Sequence, residues 1–192
     1  MRHTEERIAR PLTEFIAAGL RAVRLSVDAA PAVQRLLERC TDYYELVEGR
    51  SPASDAAIEE LTGGPPERIP HDLVCLGLLA EPDALVGVIG ALRNHRRPDQ
   101  WYLGLMLLDP DYRGRGVGRA CYQAFEGWIA SQGVDSALVA VVEANTRAAK
   151  FWQSLGFGWP RCYPERTIGL RRHVLIEFEK SLGRRLAAPR AR

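Results

Sequence analysis

The strongest chemical signal in the sequence is a turn rich in glycine and arginine, directly after the apolar run "WYLGLMLL". The turn, "RGRGVGR" over residues 113–119, contains Gly114, Gly116, Gly118, Arg113, Arg115 and Arg119. A glycine has no Cβ to keep an anion off the backbone, and the free N–H groups at a helix start attract phosphate. The pattern predicts a phosphate-binding turn. The alternative is a strand-to-helix turn that uses glycine only for its conformation.

Two common nucleotide motifs do not fit this turn. A P-loop, G-x-x-x-x-G-K-[ST], requires a lysine, and the turn has none. The dinucleotide pattern G-x-G-x-x-G/A requires glycine or alanine at its sixth position. That position is Arg119 when counted from Gly114, and Cys121 when counted from Gly116. Neither of these two ways of binding a nucleotide is therefore predicted.

Two motifs together resemble a known family. The pattern [Q/R]-x-x-G-x-[G/A] is met by Arg113, Gly116 and Gly118, and N-x-x-A-x-x-[F/L]-Y-x-x-x-G-F is nearly met by "NTRAAKFWQSLGF", residues 145–157. The two motifs occur in the order found in that family, and the predicted strands and helices over residues 20–182 agree with its fold. The chain on these grounds resembles the GCN5-related N-acetyltransferase (GNAT) superfamily.

The resemblance implies an acetyl-CoA site that needs no metal. The pyrophosphate would rest on the amides of residues 113–119, and the pantetheine arm would lie between two splayed strands, beside Met106 and Leu108. Asn145 would bind the arm or pin the splayed strand, or cap the following helix. The implied cofactor-binding residues are Met106, Leu107, Leu108, Arg113, Gly114, Arg115, Gly116, Val117, Gly118, Arg119, Asn145, Phe151 and Trp152.

The implied reaction is acetyl transfer to the amine of a small molecule or peptide, by direct attack in a ternary complex. Trp152 departs from the family pattern, which has a tyrosine there to protonate the leaving thiolate. An indole N–H donates a hydrogen bond but is no acid near neutral pH. Either Tyr43, Tyr44 or Tyr163 replaces it, or the thiolate leaves unprotonated, or the domain binds CoA without catalysis.

The base that deprotonates the acceptor is less well marked. Glu143 is a candidate because it ends a strand, where ligands collect in such sheets; Asp72, His71, Glu45 and His95 are weaker ones, and a water chain could serve equally. We take Glu143 and Tyr43 as the catalytic candidates. The stretch "DYYELVEG" suits a cationic acceptor, but its pattern also fits simple amphipathic packing.

Composition limits the class of protein. The chain has 192 residues, 46% hydrophobic and 26% charged, with a net charge of +2, so polyanion binding is not expected. No secretory signal and no long apolar run occur, which predicts a cytoplasmic protein that contacts neither membrane nor nucleic acid, as a monomer or homodimer. The four separated cysteines predict buried thiols rather than a zinc site.

The elements that position these residues read as one α/β (α+β) domain, residues 19–182, between an extension, 1–18, and a basic tail, 183–192. The fold prediction is a mixed, mostly antiparallel sheet of about seven strands with one splayed parallel pair, flanked by helices. Strands are predicted at 20–27, 73–80, 85–92, 101–108, 137–143, 158–163 and 173–179. Helices are predicted at 30–40, 41–49, 51–64, 117–132 and 146–155, with Asp28 capping the first. Residues 1–18 are compatible with a helix.

Overall fold

A computed structural model describes residues 12–63 and 72–183 of the chain. The strands are β1 (Thr13–Ala17), β2 (Leu20–Arg24), β3 (Leu73–Ala80), β4 (Ala84–Leu92), β5 (Gln100–Leu108), β6 (Ser136–Val142), β7 (Gly158–Ile168) and β8 (Arg171–Ser181). The α-helices are α1 (Ala30–Arg39), α2 (Thr41–Val47), α3 (Ala56–Thr62), α4 (Val117–Ser131) and α5 (Thr146–Ser154). Short 3₁₀ turns cover Val27–Ala29 and Pro110–Tyr112.

The strands form one mixed sheet in the order β1-β2-β3-β4-β5-β6-β8-β7. Every neighbouring pair is antiparallel except β5 and β6, which are parallel because α4 carries the chain back across the sheet. The predicted fold class is therefore confirmed, with eight strands in the sheet instead of about seven.

The additional strand is β1, so the helical interpretation is wrong for Thr13–Ala17. Ala18 and Gly19 have positive φ angles of 50° and 76° and turn the chain tightly into β2. Phe15 then packs against Phe125 of α4, at 6.5 Å between ring centroids. Residues 1–11 of the predicted extension, and 184–192 of the predicted tail, lie outside the described residues.

The start of α1 also differs from the prediction. Asp28 lies in the 3₁₀ turn Val27–Ala29, and the N-cap position of α1 is Ala29, which makes no side-chain cap hydrogen bond. Pro31 in the first turn supplies the helix start instead, because its fixed φ suits that position.

The sheet separates two apolar cores. On one face, α4 and α5 bury Tyr122, Phe125 and Trp152 against the sheet. On the other face, α1, α2 and α3 pack around Leu37 and Tyr44. No helix within the described ranges is long and apolar enough to cross a membrane.

A bulge in β5 changes which face its side chains meet. Ala91 pairs with Leu103 but Gly90 pairs with Leu105, so Gly104 has no partner in β4. Leu103 accordingly belongs to the core beneath α4, whereas Leu105 belongs to the core beneath α1. An extra residue in one strand moves every later side chain of that strand to the opposite face of the sheet.

Beyond this bulge, β5 and β6 separate. Within the part of the chain that the structure describes, their pairing runs only from Gln100–Ser136 to Leu103–Val139. Past that point β5 stays paired with β4, and β6 stays paired with β8. The predicted splay of the parallel pair is confirmed, and it opens a gap in the middle of the sheet.

Candidate functional site

The glycine-rich turn leads from the end of β5 into α4. Gly116 occupies the N-cap position with φ of 78°, and Gly114 has φ of 77°, a left-handed conformation that favours glycine. A Cβ added at either position would meet no atom within 4 Å, so the space above both residues is open. The first amides of α4 thus lie beside open space, as an anion site requires.

Arginines tie this turn to its neighbours. The Nε of Arg113 donates to the Leu108 carbonyl at 2.7 Å, and its Nη1 donates to Asp42 of α2 at 2.6 Å. Its Nη2 is buried without a hydrogen-bond partner among the described residues. Arg119 donates to the Ser154 hydroxyl of α5 at 2.8 Å. Arg113 therefore fixes the start of the turn to the end of β5 and to α2.

An ion pair that the sequence analysis missed holds the end of β5. Asp109 accepts from Arg39 of α1, with 3.0 Å between Nη2 and Oδ1, and also from the backbone N–H of Asp111 at 3.0 Å. These hydrogen bonds from Arg39 outweigh burial and lower the pKa of the Asp109 carboxyl. The strand end that precedes the turn is thereby fixed to α1.

A cavity of about 600 Å³ begins at this turn and follows β5. Most of the residues predicted to bind the cofactor line it: Met106, Leu107, Leu108, Arg113, Gly114, Gly116, Gly118, Arg119, Asn145, Phe151 and Trp152. Arg115 and Val117 are not part of this lining. The lining also includes residues that were not among the predicted site residues, namely Asp42 and Leu46 of α2 and Arg147 and Ala148 of α5.

The backbone edge of β5 faces the gap. The N–H of Asp109 donates to Val86 of β4, and successive residues of a strand alternate the side to which their N–H and C=O groups point. The backbone groups of Met106 and the N–H of Leu108 therefore point away from β4, toward the gap, whereas the Leu108 carbonyl accepts from Arg113. The groups that face the gap form an edge that can pair with an extended ligand.

Helix α5 forms the opposite wall. The Asn145 side chain accepts from the Ala148 N–H at 3.0 Å, so its role as N-cap is confirmed, and Asn145 also lines the cavity. Trp152 is only 8% exposed. Its ring lies 5.3 Å from the Tyr122 ring and 4.9 Å from the Phe151 ring, centroid to centroid. Trp152 is therefore a rigid wall of the cavity.

A second chamber, about 280 Å³, continues from the first between the splayed strands. The two share Tyr43, Met106, Asn145, Ala148 and Trp152, so these residues mark the junction. The second chamber extends to Glu48, Tyr102 and Arg166.

Only one of the three candidate tyrosines lines this junction. Tyr44 is buried outside both linings, and the Tyr163 hydroxyl is held by Arg96 at 2.6 Å and donates to Glu177 at 3.3 Å. Tyr43 lines both chambers. Burial, with smaller contributions from nearby acidic groups, raises the pKa of the Tyr43 phenol above its ordinary value. The phenol consequently keeps its proton at neutral pH.

Of the residues predicted as general bases, those that the structure describes do not line the two chambers. Glu143 and Glu45 are exposed and line neither chamber. Asp72 is half-buried, His95 stacks on Tyr102 at 4.8 Å, and His71 lies outside the described residues. The catalytic role of Glu143 stays a prediction that the geometry does not favour.

An acidic residue that the sequence analysis missed is Glu60 of α3. It lines a small cavity of about 190 Å³, together with Tyr102 and Gly104. Burial, followed by the charges of Glu59 and Glu48, raises the pKa of the Glu60 carboxyl to about 7. Its spacing was an available signal, since it follows the buried Ala56 and Ala57 by one helical turn and shares their inner face.

Cysteines and metals contribute no further site. Cys40, Cys75 and Cys121 are buried free thiols, as predicted, and Cys162 is an exposed one. Within residues 12–63 and 72–183, no group of three His, Cys, Asp or Glu side chains is arranged to hold a metal ion.

Comparison with known proteins gives one family. The sequence model described as "Acetyltransferase (GNAT) family" matches residues 31–157. A mycothiol acetyltransferase of Thermobispora bispora is 44% identical over 50 residues, which are 26% of this chain and 17% of that relative. The chain therefore spans under a fifth of the length of this curated relative.

Solved structures share the fold at low identity. An acetyltransferase from Thermus thermophilus is 20% identical with a TM-score of 0.69, covering 86% of this chain and 98% of that one. The ribosomal-protein-S18-alanine N-acetyltransferase from Escherichia coli is 17% identical with a TM-score of 0.62, covering 89% and 97%. RimL, a ribosomal L7/L12 α-N-protein acetyltransferase solved with coenzyme A, is 12% identical with a TM-score of 0.70, covering 86% and 96%.

Proposed function

Since this chain belongs to the GNAT family of acetyltransferases, we propose that it transfers the acetyl group of acetyl-CoA to an amine, by direct attack in a ternary complex. The observation that carries the proposal is the gap between β5 and β6. It has an open helix start at one end and a second chamber at the other. Two substrates can enter such a gap from opposite ends and meet at the junction.

The residues of the first chamber fit acetyl-CoA. The amides at the start of α4 and the positive charges of Arg113 and Arg119 suit the pyrophosphate. The edge formed by Met106 and the N–H of Leu108 suits the amide-containing pantetheine arm. RimL, which shares the fold, was solved with coenzyme A, and this supports CoA as the ligand.

The chemistry needs two proton movements at the junction. An acceptor ammonium must lose a proton before its nitrogen can attack, and the departing thiolate must gain one. In our proposal the Tyr43 hydroxyl donates to the sulfur, and Trp152 provides only a wall and an N–H. A free N–H of β5 near the bulge polarises the thioester carbonyl as charge develops on its oxygen.

The acceptor is an amine of a small molecule or a peptide. The second chamber offers two tyrosine rings, Tyr43 and Tyr102, whose faces can contact a cation. Its charged residues are Glu48, which pairs with Arg50 at 3.1 Å, and Arg166. Relatives named for mycothiol and for ribosomal proteins share the family or the fold. Both acceptor classes therefore belong in a substrate screen.

Calorimetric titration with acetyl-CoA, CoA, ATP and NAD tests the cofactor. We expect binding of the two CoA species only, and its loss in the variant Gly116→Glu, whose side chain fills the open space above the turn. No binding of CoA at high micromolar concentration would refute the proposal. Binding without thiol release, in the presence of small amines and short peptides, would favour a non-catalytic CoA-binding module instead. The cytoplasmic location and the monomeric or dimeric state stay predictions for cell fractionation and light scattering.

A further inference from the structure

One carboxylate of α3, that of Glu60, lies over β4 beside the bulge of β5, although neither motif includes it. We propose that Glu60 accepts the proton of the acceptor ammonium, as the general base of the transfer. This inference rests on the proposed function and names the group that the sequence left unassigned.

The carboxylate lies over β4, one strand away from the bulge. A Cβ built on Gly90 would be 3.7 Å from Oε2 of Glu60, and Gly90 pairs with Leu105, the neighbour of Gly104. Adjacent strands are spaced by about 4.8 Å, so the carboxylate lies above the sheet and one strand to the side of the residues at which β5 leaves β6. Those residues form the inner end of the gap.

Glycines keep the space beside Glu60 open. Gly90 and Gly104 form the floor of the cavity of about 190 Å³, where larger side chains would otherwise project. This cavity shares Tyr102, Gly104 and Leu105 with the second chamber. Glu60 therefore lies in a cavity that adjoins, at these three residues, the chamber lined by Tyr43.

The surroundings of Glu60 suit a group that takes up a proton and releases it. The titratable groups around it are Tyr43, Tyr44 and Glu48 from α2 and the residue after it, Glu59 from α3, Cys75 from β3 and Tyr102 from β5. Among the residues that the structure describes, no side chain hydrogen-bonds to the carboxylate. Burial chiefly, and then Glu59 and Glu48, raises its pKa to about 7, so both protonation states are populated near neutral pH.

The protons balance with Glu60 in this role. Glu60 takes one proton from the ammonium and later releases it to solvent. The free amine attacks the thioester carbon, a C–N bond forms, and the C–S bond breaks. Tyr43 gives its hydroxyl proton to the sulfur and regains one from the attacking nitrogen. The products are an amide, CoA thiol and one released proton.

Two benzyl amines that differ by one oxygen atom separate a base from a structural role. Benzylamine is a cation at neutral pH, whereas the nitrogen of O-benzylhydroxylamine is already neutral and needs no such base. We expect Glu60→Gln to lower kcat/KM for benzylamine by about 10²-fold and to change that for O-benzylhydroxylamine by less than about threefold. The matched control is Glu38→Gln, an equal substitution on the exposed surface of α1.

The protonation of Glu60 is measured independently of turnover. Infrared difference spectra between the wild-type protein and Glu60→Gln should show a protonated carboxyl band that grows as pH falls from about 8 to about 6. If neither amine is acetylated, the presence of this band supports the proposal and its absence overturns it.

The remaining outcomes distinguish the two proposals. If the wild-type protein does not bind acetyl-CoA in calorimetry, the proposed function fails and the role of Glu60 fails with it. If acetyl-CoA binds and acetylation is measurable, but Glu60→Gln matches Glu38→Gln or slows both amines equally, only the role of Glu60 is refuted.

Discussion

At the scale of single residues, Trp152 occupies the position where the family pattern has a tyrosine. The proton donor for the thiolate must therefore be a different residue. Trp152 is held between aromatic neighbours, with 5.3 Å between its ring centroid and that of Phe157. It therefore cannot swing aside to admit another donor from α5. Tyr43 reaches the same junction from α2, on the opposite wall. The proposed donor, Tyr43, therefore comes from α2 and lines the same junction as Trp152 of α5.

Replacing Tyr43 by phenylalanine tests this exchange. The ring and its packing remain, so we expect kcat to fall by about 10–100-fold while the Kd for acetyl-CoA stays within about twofold. Steady-state kinetics and calorimetry measure the two effects. Tyr163→Phe is the control, because that hydroxyl is already held by Arg96 and Glu177. An unchanged kcat in Tyr43→Phe would mean that the thiolate leaves without this donor.

Asp109 gives a prediction for the pH dependence of stability. Its folded pKa lies below the unfolded value of about 4, so its contribution is present above that pH and is lost as pH falls through the folded pKa. We expect Asp109→Asn to lower the free energy of unfolding by about 1–3 kcal/mol at pH 7, and the difference from wild type to shrink in acid.

Urea denaturation at neutral and acid pH measures this difference. The control is Asp111→Asn, an exposed carboxylate that binds the same Arg39. Because exposed ion pairs contribute about 0–1 kcal/mol, its effect at pH 7 should be the smaller one. A difference for Asp109→Asn that persists unchanged in acid would show that the charge of Asp109 is not the cause.

At the scale of elements, α4 carries glycines in similar conformations on either side. Gly116 has φ of 78° and Gly133 has φ of 89°, and a Cβ on either would meet no atom within 4 Å. Alanine at either position should therefore lower the free energy of unfolding by a similar amount, about 1–2 kcal/mol. Only Gly116 lies in the proposed anion site.

We expect Gly116→Ala to weaken acetyl-CoA binding by about tenfold or more, since a Cβ intrudes where a phosphate meets the amides. Gly133→Ala should leave the affinity unchanged. Thermal unfolding and calorimetry on the two variants separate strain from binding. Equal affinities in both variants would place the phosphate elsewhere.

The site was predictable from sequence where its residues are contiguous. The turn at 113–119 and the start of α5 are local motifs whose glycine and asparagine requirements arise within a few residues. Arg39 reaches the end of β5, and Glu60 reaches β4, only because the fold brings α1 and α3 beside the sheet. Such long-range placement leaves little trace in a local pattern, apart from an acidic residue on the apolar face of a helix.

At the scale of the whole molecule, interior strands were predictable from their apolar runs, but the edge strand β1 was not. Its five residues, "TEFIA", alternate weakly, and Ile16 is 66% exposed. Its strand conformation depends on pairing with β2 and packing on α4, neither of which is encoded within the segment. Phe15 belongs to the core that extends across the sheet to β6. β1 therefore contributes to the core that lies between the sheet and α4.

Two adjacent substitutions in β1 test this role. Phe15 packs against Phe125 and Trp128, with ring centroids at 6.5 and 6.1 Å, whereas Ile16 points to solvent. We expect Phe15→Ala to lower the free energy of unfolding by about 1–3 kcal/mol and Ile16→Ala to change it by less than about 0.5 kcal/mol. Acetyl-CoA affinity should be unchanged in both, because three strands, β2 to β4, separate β1 from β5 at the gap. Equal unfolding midpoints in urea would mean that the packing of Phe15 on α4 adds no stability to the domain.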